Sequence, residues 1–196
     1  MSRFGNMALV FSVESYGAEA KRFVRSSGHY LGKEDPGGYF AVCGRVDRPS
    51  DLLPDTRVSG AIAAIAVFGR PKARRLPQDG SWIENTRTAI LDGPPKGTAS
   101  ELLRRGWAEA AKRGAVKGLA YHARAKHTGC CYRKAGMHKA GTVNPPAHGW
   151  SSRKGRTSAE QTGEPKRRWL IDLTKMVEYC PAEHAPRQRK IEGVLI

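Results

Sequence analysis

An α/β domain built on a mixed sheet is what this sequence predicts, and three observations carry the prediction. Residues 82–141 read strand, glycine-rich loop, helix, strand, helix, strand, an alternation that lays helices over a sheet. Residues 58–68 are nearly all Ala, Ile and Val, as in a buried central strand. Hydrophobic residues make up 39% of the 196 positions and concentrate between 7 and 143, enough to bury one sizeable core.

The elements follow in order. Residues 7–13 read as a strand, and Ser15 is placed to cap a helix whose Ala18, Phe23 and Val24 share a face. A glycine-flanked loop follows, carrying His29 between Gly28 and Gly32. Residues 39–46 and 58–68 form two strands, with Asp47, Arg48, Pro49, Ser50 and Asp51 as the turn between them. Residues 81–91 are rich in β-branched and aromatic side chains and stop at Asp92-Gly93-Pro94-Pro95-Lys96-Gly97-Thr98. Ser100 is the expected N-cap of the next helix, whose Leu102, Leu103, Trp107, Ala110 and Ala111 make an apolar face before Lys112-Arg113-Gly114 ends it. Residues 116–123 give a short strand, 129–137 a short helix closed by Gly136, and a last strand runs through Val143. From Asn144-Pro145-Pro146 the composition turns to Gly, Ser, Pro and basic residues, with Leu170, Ile171 and Leu173 as a short apolar anchor. The expected organisation is a domain over 1–148, a basic Trp/Arg-rich arm over 149–175 packed on it, and a mobile tail over 176–196.

Unpaired amides and the positive end of the dipole at the start of the helix after the proline-glycine loop favour a phosphate or pyrophosphate, with Lys96 adding a point charge. The bland reading of the same loop is a turn.

This series of parts resembles the acyl-CoA-binding half of the GNAT acyltransferase superfamily. Tyr132 to Met137 matches the superfamily's Tyr-x-x-x-Gly-Met pattern residue by residue. The pyrophosphate loop is degenerate, surviving as Lys96-Gly97-Thr98-Ala99-Ser100. The resemblance implies a GNAT-like fold, acetyl-CoA or a related acyl donor as cofactor, and a donor site at Ile90, Lys96, Gly97, Thr98, Ala99 and Ser100. A narrower resemblance, from about residue 28 to 169, is to small phage and prophage GNAT-like proteins. It rests on Phe68-Gly69-Arg70-Pro71, Glu84-Asn85-Thr86-Arg87, Asp92-Gly93, Ser100 with Trp107, Arg133-Lys134-Ala135-Gly136, Gly149-Trp150-Ser151-Ser152-Arg153 and Pro165-Lys166-Arg167-Arg168-Trp169. More distantly the chain is similar to Mom-type DNA-modification proteins, which share His29, Phe68 to Pro71, polar residues in the strand after it, and Tyr132 to Gly136. The acidic residue those proteins carry later has no counterpart in Tyr121-His122-Ala123-Arg124-Ala125-Lys126-His127.

Charge narrows the partner independently. Thirty-four Lys and Arg against 18 Asp and Glu give +16, a field directed at polyanions, with nucleic acid the default. The expected contacts are Arg70, Lys72, Arg74 and Arg75 in one cluster, Arg87, then Arg153 and Arg156, then Lys166 and Arg168, with Trp150 and Trp169 as base-stacking platforms. Each tryptophan reads equally as a pin for the arm. No long basic amphipathic helix suggests a membrane surface, and no apolar run of membrane length or signal-peptide core is present, so a cytoplasmic protein is expected. Cys43, Cys130, Cys131 and Cys180 are irregularly spaced and read as reduced thiols, and His122 and His127 with the paired cysteines fit no standard metal set.

Acyl transfer to an amine needs an unprotonated nucleophile and a proton donor for the leaving thiolate. Tyr132 is the donor that the resemblance implies, or a ring packing helix on sheet. Glu84 orients or deprotonates the acceptor, or pairs with Arg87. His29 is the free base of the N-terminal half, or a structural histidine. The expected activity is transfer of a small acyl-derived group to a base amine in DNA, with the base extruded, in a role that shields DNA from restriction. The alternatives are N-acylation of a small amine or peptide, and a non-catalytic basic DNA-binding protein.

Overall fold

The computed structural model describes residues 8–28, 35–49, 57–123, 128–144 and 165–176. Strands β1 (Leu9–Ser15), β2 (Gly38–Pro49), β3 (Arg57–Gly69), β4 (Trp82–Ile90), β5 (Lys117–Ala123), β6 (His138–Val143) and β7 (Lys166–Asp172) form one sheet in the order β1-β2-β3-β4-β5-β7-β6. All neighbours are antiparallel except β4 and β5. Helix α1 (Ala18–Ser26) covers one face, and α2 (Thr98–Lys112) with the short α3 (Cys130–Lys134) covers the other.

The apolar run of β3 is buried as its composition dictates, every side chain from Ile62 to Phe68 lying at or below 6% exposure. Its two faces feed two cores. Ala64, Ala66 and Phe68 meet Leu102, Leu103 and Trp107 of α2, while Ile65 and Val67 meet Ala20 and Val24 of α1. Phe68 stacks on Phe40 at 5.1 Å and meets Trp107 edge-on at 4.9 Å, so its ring is held from both sides. Gly106 lets α2 approach this ring, because a Cβ there would lie 1.9 Å from Phe68 Cζ. Gly106→Ala is therefore expected to destabilise the fold by about 1–3 kcal/mol, the usual cost of overpacking, read as a lower midpoint in denaturant unfolding.

Four expectations are corrected. Ser15 is not a helix cap, because it remains in the ladder opposite Phe40; the chain turns at Tyr16, and Gly17 precedes α1. Asp47, Arg48 and Pro49 lie inside β2, paired to Ser59, Val58 and Arg57, so the connection to β3 falls later, outside the described residues. Helix α2 begins at Thr98 with Gly97 as its N-cap, and the Ser100 hydroxyl donates to Gly97 O at 2.8 Å instead of capping amides. The largest correction concerns residues 166–172, expected in an arm packed on the domain: as β7 they are a strand of its sheet, inserted between β5 and β6, with Trp169 and Ile171 buried in the main core. Leu173–Lys175 follow as one 3-10 turn with Leu173 buried, while residues 149–164 of the expected arm and 177–196 of the expected tail lie outside the described residues.

Candidate active site where two parallel strands part

Parallel pairing of β4 and β5 covers only Trp82↔Lys117 to Asn85↔Ala120, although β4 continues to Ile90 and β5 to Ala123. The strands part at a β-bulge. Phe68 of β3 faces Asn85 while Val67 faces Arg87, which leaves Thr86 as the extra residue. The Asn85 amide stabilises it, donating to Val67 O and Arg87 O at 3.1 Å each, while its oxygen accepts from the Thr88 hydroxyl at 3.0 Å. Residues 87–90 keep their pairing to β3 as far as Ala64↔Ile90, and 86–90 have no ladder partner on the β5 side among the described residues. An open strand edge at the carboxyl ends of two parallel strands, each followed by a helix, is where α/β folds take ligands.

One wall of the opening ends in the loop before α2. Gly97 has φ +104°, a left-handed conformation, and open space surrounds its Cβ position. The first intrahelical bond is Glu101 N–H to Gly97 O at 3.0 Å, and Thr98 N–H bonds Pro95 O at 3.2 Å, so the Ala99 and Ser100 amides precede the helix ladder. Lys96 and Gly97 are exposed, as are the apolar Ile90 and Leu91 at the end of β4. The Glu101 carboxylate turns inward, 1% exposed, and is held by Arg104 at 3.1 Å and Arg105 at 2.7 Å. These features fit a pyrophosphate with an apolar and amide-bearing extension. Gly97→Ala should strain this left-handed turn by about 1–2 kcal/mol, read as a lower midpoint in denaturant unfolding.

The other wall is polar. Glu84 of β4 is 5% exposed and accepts the Lys72 backbone N–H on Oε2 at 2.8 Å. Burial pushes its carboxyl up to about 7; the Lys72 amide and ammonium and Arg87 pull the other way, and Asp35 adds to the rise. Tyr121 of β5 stands nearby, its phenol raised first by burial and then by the Glu84 charge, with Arg168 of β7 countering. Arg168 pairs in register with Tyr121 and also donates to Ala140 O at 2.9 Å.

The expected residues divide accordingly. Glu84 stands at the parting. Arg70, Lys72, Arg74 and Arg75 lie exposed in the β3–β4 connection, and Arg87 and Lys166 are half-buried on strands. Tyr132 is 8% exposed on α3, its ring stacked with His122 at 5.5 Å and Trp169 at 5.6 Å. Trp169 is no stacking platform for a base: it is 6% exposed, and its indole N–H donates to His122 Nδ1 at 2.9 Å. That bond places a lone pair of His122 Nδ1 toward the indole N–H. His29, Trp150, Arg153 and Arg156 lie outside the described residues. Asp35, buried behind Lys72, was missed because Asp35-Pro36-Gly37-Gly38 reads as a plain turn. Among the described residues no three metal-ligating side chains cluster, and no helix is long and apolar enough to cross a membrane.

No protein-family model matches the chain, and no curated protein matches it in sequence. Solved structures do match it. An acetyltransferase from Bacillus subtilis in complex with CoA aligns with TM-score 0.53 at 13% identity over 84% of this chain and 98% of its own. An IAA acetyltransferase from Bacillus cereus aligns with TM-score 0.55 at 12% identity over 84% and 99%. The ribosomal-protein-S18-alanine N-acetyltransferase from Escherichia coli aligns with TM-score 0.52 at 12% identity over 87% and 99%. The fold is that of the GNAT acetyltransferases. Within the GNAT fold, the parting of β4 and β5 and the Gly97 turn are now located on this chain's own residues. The insertion of β7 between β5 and β6 completes its sheet.

Proposed function

We propose that this protein is an acyl-CoA-dependent N-acyltransferase in which Glu84 is the general base. The observation that carries the reading is a buried carboxylate, raised to about 7, beside an open strand edge that leads to a phosphate-accepting helix start. Lys96 and the Ala99 and Ser100 amides would hold the donor's pyrophosphate, and the unpaired edge of residues 86–90, with Ile90 and Leu91, would take its extension. The bound thioester supplies an activated acyl carbon. Glu84, ionised near neutral pH, accepts a proton from the attacking amine nitrogen as the new N–C bond forms. The thiolate leaves with a proton, and Tyr132 is the proposed source, supported by its place in the Tyr132 to Met137 motif.

For the acceptor we favour an amine on a DNA base, in the manner of phage-type DNA modification. What supports this is the +16 charge and the exposed Arg70, Arg74 and Arg75 in the same connection as Lys72, whose amide holds Glu84. Flipping a base costs a few kcal/mol, and phosphate contacts offset part of it. Thiol release from acetyl-CoA should be measured against three acceptors: duplex DNA, a basic peptide and a polyamine. Faster release with DNA, suppressed by salt, supports the DNA reading; faster release with peptide or polyamine replaces it with ordinary N-acylation. Failure to bind CoA would leave a DNA-binding protein without this chemistry.

A further inference from the structure

Glu84 is held by a device built from three separate parts of the chain. The Lys72 backbone N–H donates to Glu84 Oε2 at 2.8 Å, and the Lys72 ammonium turns back to Asp35 Oδ1. Asp35 is fully buried at the entry to β2. Its Oδ1 also accepts Gly37 N–H at 3.0 Å, its own N–H donates to Tyr16 Oη at 3.2 Å, and Gly37 O accepts Arg70 N–H at 3.0 Å. The start of β2 and the end of β3 are thus clamped together, and Lys72 cannot shift without leaving the buried Asp35 carboxylate without its cation.

We propose that Asp35 and Lys72 are the positioning pair of the site: Asp35, through the Lys72 ammonium, fixes the segment whose amide orients the Glu84 carboxylate. The inference rests on the reading of Glu84 as the base. An anchoring cation alone would keep Glu84 permanently ionised and a poor proton acceptor; the buried Asp35 charge beside it offsets that pull. Asp35 itself stays ionised: burial raises its carboxyl, but the Lys72 ammonium, the Thr86 hydroxyl and the Gly37 N–H together hold it below the ordinary value. Arg87 of β4 and Tyr121 of β5 also act on Glu84, the latter with Arg168 of β7 behind it.

Carboxyl titration of the full chain, labelled with carbon-13 at the glutamate side chains, tests the pair without an acceptor, and Glu84→Gln assigns the signal. Asp35→Asn should move the Glu84 midpoint down and Lys72→Met should move it up, each by about half a pH unit or more. Lys72→Arg should stay close to wild type because the cation remains. If Asp35→Asn does not fold, the Asp35→Asn/Lys72→Met double variant, which removes both charges, should titrate below Lys72→Met alone. Shifts in the same direction for both single variants, or none, would overturn the pair, since a merely structural loosening has no reason to reverse sign with charge. Full acyl-transfer activity in Glu84→Gln would overturn it differently, by removing the base it serves, and a normal titration pattern would then separate the two failures.

Discussion

Glu84→Gln is expected to lower kcat/KM for acyl transfer by about 10²- to 10⁴-fold, the range associated with loss of a positioned general base. Glutamine keeps the carbonyl that accepts the Lys72 N–H but cannot take a proton. Wild-type activity should rise with pH through a midpoint of about 7, because burial holds the Glu84 carboxyl there against an ordinary 4.5. Stability should run the other way. Since the folded state binds the Glu84 proton more tightly than the unfolded chain, this group's contribution is fully present below 4.5 and is lost as pH rises through about 7. The neutral glutamine escapes that loss, so at pH 8 the variant should be more stable than wild type by roughly 1–3 kcal/mol while being far less active. Denaturant unfolding and initial rates across pH check both halves. An active variant whose rate keeps the wild-type pH dependence contradicts the assignment.

The second large effect is expected in duplex DNA binding, which the proposed acceptor requires. If about six phosphates are neutralised, affinity should fall roughly a thousandfold between about 50 and 200 mM salt, because each contact releases condensed counterions. Replacing Arg70, Arg74 and Arg75 together by glutamine should reduce the slope of log affinity against log salt by about 3, uniformly across sequences. These residues are exposed and lie outside the packed core, so folding should survive the change. Fluorescence anisotropy over a salt series reads the slope. A flat slope would remove DNA as the acceptor and return the surplus charge to solvation.

Much of the fold was legible because patterning and punctuation agreed. Residues 58–68 read as a covered strand and Ile62 to Phe68 are buried, and Gly114 and Gly136 sit at positive φ where the sequence ends its helices. The β7 strand was hidden because Lys166, Arg167 and Arg168 supply none of the apolar alternation that marks a strand; they pair with β5 and β6 while half-exposed, and only Trp169 and Ile171 anchor them. At the site, Glu84 was legible as a carboxylate at the end of an apolar run. Its partners were not. Asp35 and Lys72 stand 37 positions apart and meet only because β2 and β3 are paired, and an ion pair across strands leaves no local spacing to read. Trp169 misled for the same reason: a tryptophan beside basic residues looks like a nucleic-acid platform until the register of β7 turns it against His122 and Tyr132.

The most direct measurement is mass spectrometry of nucleosides digested from duplex DNA after incubation with acetyl-CoA and either the wild-type protein or Glu84→Gln, with free thiol followed in parallel. The account predicts a heavier nucleoside carrying one acyl group, formed with matching thiol release by the wild type and lost in the variant. Unmodified DNA with no thiol released from acetyl-CoA, by a protein that binds DNA normally, would contradict it.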